Sequence, residues 1–465
     1  MSFSRMLKIQ QNKNTSQKSE KHEISFSKTH LCGTTLPDGF KLQSMGRQTT
    51  MSNITSGTEE LHIPVLYVQL RTIDEKQIHA DVLKKQHQYL VEDFLGVNQE
   101  KKDFFDTTDN DTKLDGYTYF KHPSFQKYDN QIYFETFKKT SGGWELYDLS
   151  APNDDEIVLV DYILQDMEGE ILTKDTFDGF LGVQDVRNTL PDVFQSSVSS
   201  PSVIVVVFTK LKNDIVLGEA FIRDNLLVIH HPYDESKVSL LGDQYDASKK
   251  HDTQQCYINF KGRTLTHEMG HCLGLPHTFE QSADCDWTNE PKNATLIEDI
   301  PFQKEPNKNE VTLYNKFGQI EPKGDHRQRK IDDKICNGFP KINGNQADNN
   351  YEMFFNFMDY SCDQAMAMFS PLQYEEMKLN VKQENFVCHA SDKDTLQSKV
   401  QEITLFKEFL TGDAEENSPN LTVEPSQKKE SSSSTILYLT IFLGIVLVMV
   451  VVALIVAGLR SSNKV

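Results

Sequence analysis

The 465-residue sequence predicts an α+β fold: a mixed, twisted sheet with a helix laid against it, a loop-rich lower half with a C-terminal helix, and one transmembrane helix at the end. Three observations predict it. Strand-like apolar runs and stretches of helical period alternate irregularly up to about residue 275. Residues 280 to 350 show neither period and are crowded with Asn, Asp, Lys and Pro. Thr435 to Leu459 contains no charged residue.

Residues 1 to 58 are rich in Ser, Thr, Lys and Gln and have no apolar period, so they cannot build a core alone. The Met1 region lacks the apolar run of a signal peptide. The pattern then changes. Pro64 to Leu70 (PVLYVQL) reads as a buried strand, and Asp74 to Phe94 as a helix with Ile78, Val82, Leu90 and Phe94 near one face. Residues 98 to 130 are polar and acidic, as expected of a surface insertion. Ile132 to Phe137 and Ile157 to Tyr162 are strand candidates, and Ser202 to Phe208 (SVIVVVF) is the clearest strand. Glu219 to Ile222 and Leu226 to His230 read as short strands at the sheet edge, above a cleft. Gly262 to Leu275 reads as a helix.

Beyond the loop-rich stretch, Ser370, Pro371 and Gln373 announce another helix. Ser370 is the N-cap, Pro371 takes the first position and Gln373 closes a capping box; Leu372, Met377 and Val381 face the core. Residues 391 to 410 suit one more amphipathic helix, with Leu396, Val400, Ile403 and Phe406 on a stripe. The expected organisation is a leading segment 1–58, a main domain 59–390, a helix and Ser-rich stalk 391–434, a membrane span 435–459 and a short tail 460–465. At 1.5 Å per residue the span is long enough for a bilayer core of about 30 Å.

The net charge of −20 argues against a nucleic-acid partner. Seven cysteines are too few for a disulfide scaffold, so their positions matter more than their number.

The densest chemistry lies in His267 to His277, reading HEMGHCLGLPH. Residues four apart share a helix face, so His267 and His271 can address one ion. Gly274 can adopt the left-handed conformation that ends a helix and turns the chain, which would bring His277 round as a third nitrogen ligand. Three protein ligands with a fourth position left to water is the arrangement of a catalytic zinc. Glu268 is then placed to take a proton from that water. Upstream, Cys32-Gly33-Thr34 supplies a thiolate that can occupy the fourth position and hold the site latent.

From Ile63 to Met377 the chain resembles the pappalysin-like (cytophagalysin, peptidase family M43) branch of the metzincin zinc metalloproteases. The resemblance rests on GRTLTHEMGHCLGLPHTF (Gly262 to Phe279), EDIPFQ (Glu298 to Gln303), NFMDY (Asn356 to Tyr360) and MFSPLQYEEM (Met368 to Met377). It implies a two-lobed catalytic domain and a Met-turn at Met358, an apolar floor beneath the histidines. It implies Tyr360 as a group near the metal or the reacting carbonyl, and Cys32 as the thiol of a zymogen's cysteine switch. Relatives bind calcium in the lower lobe, which makes Asp299 a candidate calcium residue. Two positions depart from the family pattern: Cys362 lies three residues before the usual cysteine position at Ala365, and Cys272 stands where relatives often carry a bulky aromatic. Among the six cysteines downstream of residue 58, Cys285 and Cys336 are the expected pair, since both lie in the irregular lower half.

The implied activity is zinc-dependent endoproteolysis of protein or peptide substrates, with Glu268 as general base. The alternative is a membrane-attached binding protein that holds zinc without catalysis. Arg47 marks the expected activation neighbourhood, in the polar joint after Cys32. Five N-x-S/T sequons, at Asn14, Asn53, Asn110, Asn293 and Asn420, suit an extracytoplasmic catalytic domain on a single-pass anchor. A cytosolic tail-anchored enzyme is the alternative topology.

Overall fold

The computed structural model describes residues 31–34, 60–99, 101, 131–141, 143–149, 157–166, 168–190, 203–213, 216–230, 262–279, 297, 299–300, 306, 341–342, 345–346, 353, 355–360, 366–383 and 386–403. All belong to one compact unit, Met1–Val423. Arg47, the five sequons, the Cys285 and Cys336 pair, Cys362, Phe406, the stalk and the expected span 435–459 lie outside the described residues. Among the described residues, no helix is long and apolar enough to cross a membrane.

The core is a mixed sheet of seven strands: β1 (Leu31–Cys32), β2 (Leu61–Arg71), β3 (Ile132–Glu135), β6 (Leu159–Ile163), β7 (Ile204–Thr209), β8 (Val216–Ala220) and β9 (Leu226–His230). Their order is β1-β8-β9-β7-β2-β3. At 11 residues β2 is long enough to carry two neighbours in line on one side, β3 against Leu61–Pro64 and β6 against Tyr67–Arg71. Every pairing is parallel except β8 with β9. A parallel strand covered on both faces needs apolar residues at successive positions, which is what PVLYVQL and VIVVVF supply.

Side-chain alternation divides those residues between two cores. Ile63, Val65 and Tyr67 join α1 (Ala80–Leu95), α3 (Thr264–Cys272) and α4 (Pro371–Val381) on one face. Leu66, Val68 and Leu70 join α2 (Val183–Thr189) and α5 (Lys393–Glu402) on the other, with the hairpin of β4 (Phe137–Thr140) and β5 (Gly143–Leu146). A further short pair, β10 (Lys341–Ile342) and β11 (Asn345–Gln346), is antiparallel.

Several expected elements shift. Helix α1 begins at Ala80 rather than Asp74, because Arg71 to Ile78 forms a turn in which Thr72 N–H donates to the Glu75 carboxylate. Its buried face runs through Leu83, Leu90 and Phe94, with Val82 only partly buried. The stretch 132–137 breaks at Thr136, giving β3 and the start of β4. Leu226 to His230 is not an edge strand: it lies between β7 and β8, and all five of its residues are buried. Helix α2 was not expected. The capping box of α4 forms as its sequence predicts, with Ser370 Oγ accepting from Gln373 N.

Candidate metal centre

Helix α3 enters from Gly262 (φ +64°) and leaves through Gly274 (φ +98°), two left-handed positions that a β-carbon would strain. At Gly274 the exit turn is tight: Gly274 N–H donates to His271 O at 2.8 Å and Leu275 N–H to Gly270 O at 2.9 Å. A β-carbon there would also lie 2.2 Å from Asn380 Nδ2. Arg223 N–H donates to the His271 carbonyl, while its side chain reaches the buried Glu376. These contacts fix the turn that carries the chain from His271 to His277.

The turn brings four expected residues together. One ligand atom each from Cys32, His267, His271 and His277 lies within 4.8 Å of all the others. His267 Nδ1–H donates to Phe357 O at 2.6 Å, and His271 Nδ1–H to Leu275 O at 2.7 Å. A carbonyl only accepts, so each ring is held as the tautomer whose Nε2 lone pair is free. His271 Nε2 lies 3.0 Å from His277 Nε2. His267 Nε2 is buried and has no protein partner. An unpartnered lone pair in a buried site is costly unless something accepts it. Three imidazoles and one thiol at this spacing match the donor set of zinc, so these residues fit the ion. Burial holds His267 down to about 3, reinforced by His277, and holds His271 well below its usual range, reinforced by His277 and His267. Neutral imidazole is the form that ligates a metal.

Glu268 is fully buried. Burial pushes its carboxyl up to about 8, with Glu219 adding to the rise while hydrogen bonds from Cys32 and Thr34 oppose it. Its Oε1 has no partner; its Oε2 lies 3.2 Å from Thr34 Oγ1, whose single proton is shared between this carboxylate and Ala220 O. Gly218 on β8 leaves room for this carboxylate, since a β-carbon there would lie 2.7 Å from Glu268 Cγ.

Strand β1 covers the site. It pairs parallel with β8, and Gly33 N–H donates to Gly218 O at 2.9 Å. The Thr34 hydroxyl donates to Ala220 O and accepts from Ala220 N–H, both at 2.9 Å. The Cys32 thiol is pushed well above its usual range, first by burial and then by Glu268. Tyr360 OH donates to Cys32 O at 3.3 Å, and its ring centroid stands 5.8 Å from that of His267 and 5.1 Å from that of His277.

Met358 is fully buried beneath the histidines, with its sulfur against Gly270 on α3. Asn356 Oδ1 accepts from Met358 N–H and so shapes this turn. Asp299 is almost wholly buried. Its two oxygens accept from Ser370 Oγ at 2.6 Å and Leu372 N–H at 2.9 Å, so it holds the start of α4. Of the described cysteines, Cys32, Cys272 and Cys388 are free thiols. Cys272 sits behind the site at the end of α3, fully buried.

Phe357, Thr34 and Gly218, which shape the site, escaped the sequence reading. All lie inside or beside the quoted motifs or the expected edge strand, yet a backbone carbonyl or a room-making glycine has no side-chain signature.

No protein-family profile matches the chain. Over 124 residues it is 27% identical to proteins named extracellular metalloprotease from Arthroderma benhamiae and from Trichophyton verrucosum. The stretch is 26% of this chain and 31% of each relative, so the match spans under a third of the relatives' length. A similarly named protein of Arthroderma gypseum is 27% identical over 120 residues, 29% of its length. The similarity is to metalloproteases and does not single out the pappalysin-like branch. Among solved structures, mature mirolysin of Tannerella forsythia, in complex with a cleaved peptide, aligns over 75% of this chain and 99% of its own, at 18% identity and a TM-score of 0.40. A mutant of Tannerella forsythia promirolysin aligns over 75% of this chain and 88% of its own, at 17% identity and a TM-score of 0.38.

Proposed function

We propose that the chain is a zinc-dependent endopeptidase of metzincin type, made as a latent zymogen. The observation that carries this reading is His267 Nε2: buried, aimed into the cluster of Cys32, His271 and His277, and without a protein partner. In this reading His267, His271 and His277 hold the ion, and Cys32 is the ligand that must leave. Bound zinc supplies a polarised substrate carbonyl and a water acidified toward neutral pH.

The chain's own residues do the rest. Glu268 takes the proton of the attacking water and returns it to the leaving amine. An extended peptide pairs with the free edge of β8, the edge that β1 takes while the pro-segment is present. Departure of that segment frees Glu268 from Thr34 and frees Tyr360 OH from Cys32 O, so that the phenol can address the reacting carbonyl. Met358 keeps the floor dry. The pappalysin-like assignment, the anchor at 435–459 and the extracytoplasmic placement belong to the same reading and rest on the sequence motifs, the uncharged run and the sequons.

The test is Glu268→Gln in the processed enzyme, which preserves shape and removes the base. Peptide cleavage should fall by roughly 10²–10⁴-fold while zinc stays bound. Chelation should abolish wild-type cleavage, and zinc should restore it. Unchanged cleavage in the variant, or cleavage indifferent to chelator, contradicts the proposal.

A further inference from the structure

We infer that Arg263, paired with Asp93, is the positioning residue that sets His267 for the metal. The inference rests on the zinc-site reading above but concerns residues outside the ligand set.

Arg263 precedes α3 and is 1% exposed. Its Nε and Nη2 donate to the Asp93 carboxylate of α1 at 3.1 and 2.9 Å, and Thr266 Oγ1 donates to the same carboxylate at 2.9 Å. Its Nη1 donates to Met366 O at 2.5 Å. The guanidinium carbon lies 5.4 Å from the centroid of the Phe357 ring. One fork thus ties α1, the chain after the methionine turn and the turn itself to the start of the histidine helix.

His267 is held at its backbone and at its ring, and the ring attachment traces to the Arg263 side chain. Its backbone N–H donates to Arg263 O at 2.9 Å. Its ring Nδ1–H donates to Phe357 O at 2.6 Å, and Phe357 is the residue whose ring the guanidinium covers. The Arg263 guanidinium therefore bears on the ring orientation of this ligand through Phe357, while the backbone bond is the first-turn helical bond that any residue at this position would supply.

Stability alone does not require a buried ion pair at this point. Desolvation offsets most of the attraction, and well-packed apolar residues often replace such a pair without loss. A planar, five-donor fork does what an apolar side chain cannot: it fixes three partners in one orientation. Groups that orient a ligating histidine typically change metal affinity by about 10–100-fold when removed.

The experiment compares the full chain with Arg263→Met/Asp93→Leu, which removes both charges together, and with Arg263→Lys, which keeps charge without the fork. Zinc affinity is read by competition with a chromophoric chelator, and site geometry by the visible spectrum of the cobalt-substituted protein. The double variant should bind zinc about 10–100-fold more weakly with an altered cobalt spectrum, while the zinc-free protein still unfolds cooperatively. Arg263→Lys should fall between it and wild type. If the double variant does not fold, Phe357→Leu serves instead: it removes the ring under the guanidinium, keeps the carbonyl, and should weaken zinc several-fold. Wild-type affinity and spectrum in a folded double variant, or in Phe357→Leu where that variant is used, overturn the inference. A chain that binds zinc with this dependence yet cleaves no peptide fails the peptidase reading and leaves the inference standing; a wild-type chain that binds no zinc overturns both.

Discussion

Gly270→Ala probes the contact between the histidine helix and the methionine floor. A β-carbon at Gly270 would lie 2.5 Å from Met358 Sδ, 3.4 Å from Met358 Cε and 3.3 Å from Phe369 Cε1. Both neighbours are almost wholly buried, so neither can swing into solvent. Two effects oppose each other. Alanine within a helix gains about 1 kcal/mol over glycine, whereas overpacking a tight core costs about 1–3 kcal/mol. Here the clash is with the middle of a buried side chain, so the cost falls in the upper part of that range and the variant loses about 1–2 kcal/mol net. Met358→Ala alone should lose about 2–5 kcal/mol. In the Met358→Ala background only the Phe369 contact at 3.3 Å remains, and Gly270→Ala should then gain up to about 1 kcal/mol. The sign of one substitution thus reverses with the state of its neighbour. Denaturant unfolding of chelator-treated protein measures all four corners of the cycle, since bound metal would add its own linkage. Because Phe357 precedes Met358 and its carbonyl orients His267, zinc affinity should fall along with stability in Gly270→Ala. Additivity within about 0.5 kcal/mol, with alanine stabilising in both backgrounds, would refute the contact and with it the role of Met358 as the floor.

The latent state should depend on Thr34 as well as Cys32. Thr34→Val removes hydroxyl bonds to Ala220 and Glu268, each worth about 1 kcal/mol net, so peptide cleavage by the unprocessed Cys32→Ala/Thr34→Val chain should exceed that of Cys32→Ala about 5–100-fold; equal rates would confine latency to the thiol. His87 is buried, accepts the Tyr67 hydroxyl at Nδ1, and is held down to about 3, chiefly by burial and then by Lys393. Its folded value lies below the unfolded value of about 6.5, so the unfolded chain binds the extra proton and stability falls as the pH drops from about 6.5 toward 3, by up to about 4–5 kcal/mol. Denaturant midpoints across that window should fall with acidity in the zinc-free protein and fall less steeply in His87→Gln, where the buried His267 and His271 still contribute; a slope identical to wild type would assign none of the acid sensitivity to His87.

What the sequence revealed divides along physical lines. Strands β2 and β7 were legible because strands covered on both faces must be apolar at successive positions. Helix α4 was legible because its cap is written in adjacent residues. The histidines were legible because helical spacing is local. Pairing partners were not. Leu226 to His230 reads the same whether it lies at an edge or between two strands, and its interior place is set by β8 on one side and β7 on the other. Helix α2, only seven residues long, is too short to show a period. Thr34 meets Glu268 across 234 positions, and Arg263 meets Asp93 across 170, separations that no local pattern encodes. Asp299 is likewise placed by distant partners, meeting Ser370 and Leu372 across 71 and 73 positions.

The most direct test of the central claim is X-ray absorption at the zinc edge, on the full chain and on Cys32→Ser. Three histidines and the Cys32 thiolate predict three nitrogen ligands and one sulfur in the full chain, with the sulfur lost in the variant while zinc remains. A full chain whose zinc shows no sulfur, or a variant whose sulfur persists, would contradict the account.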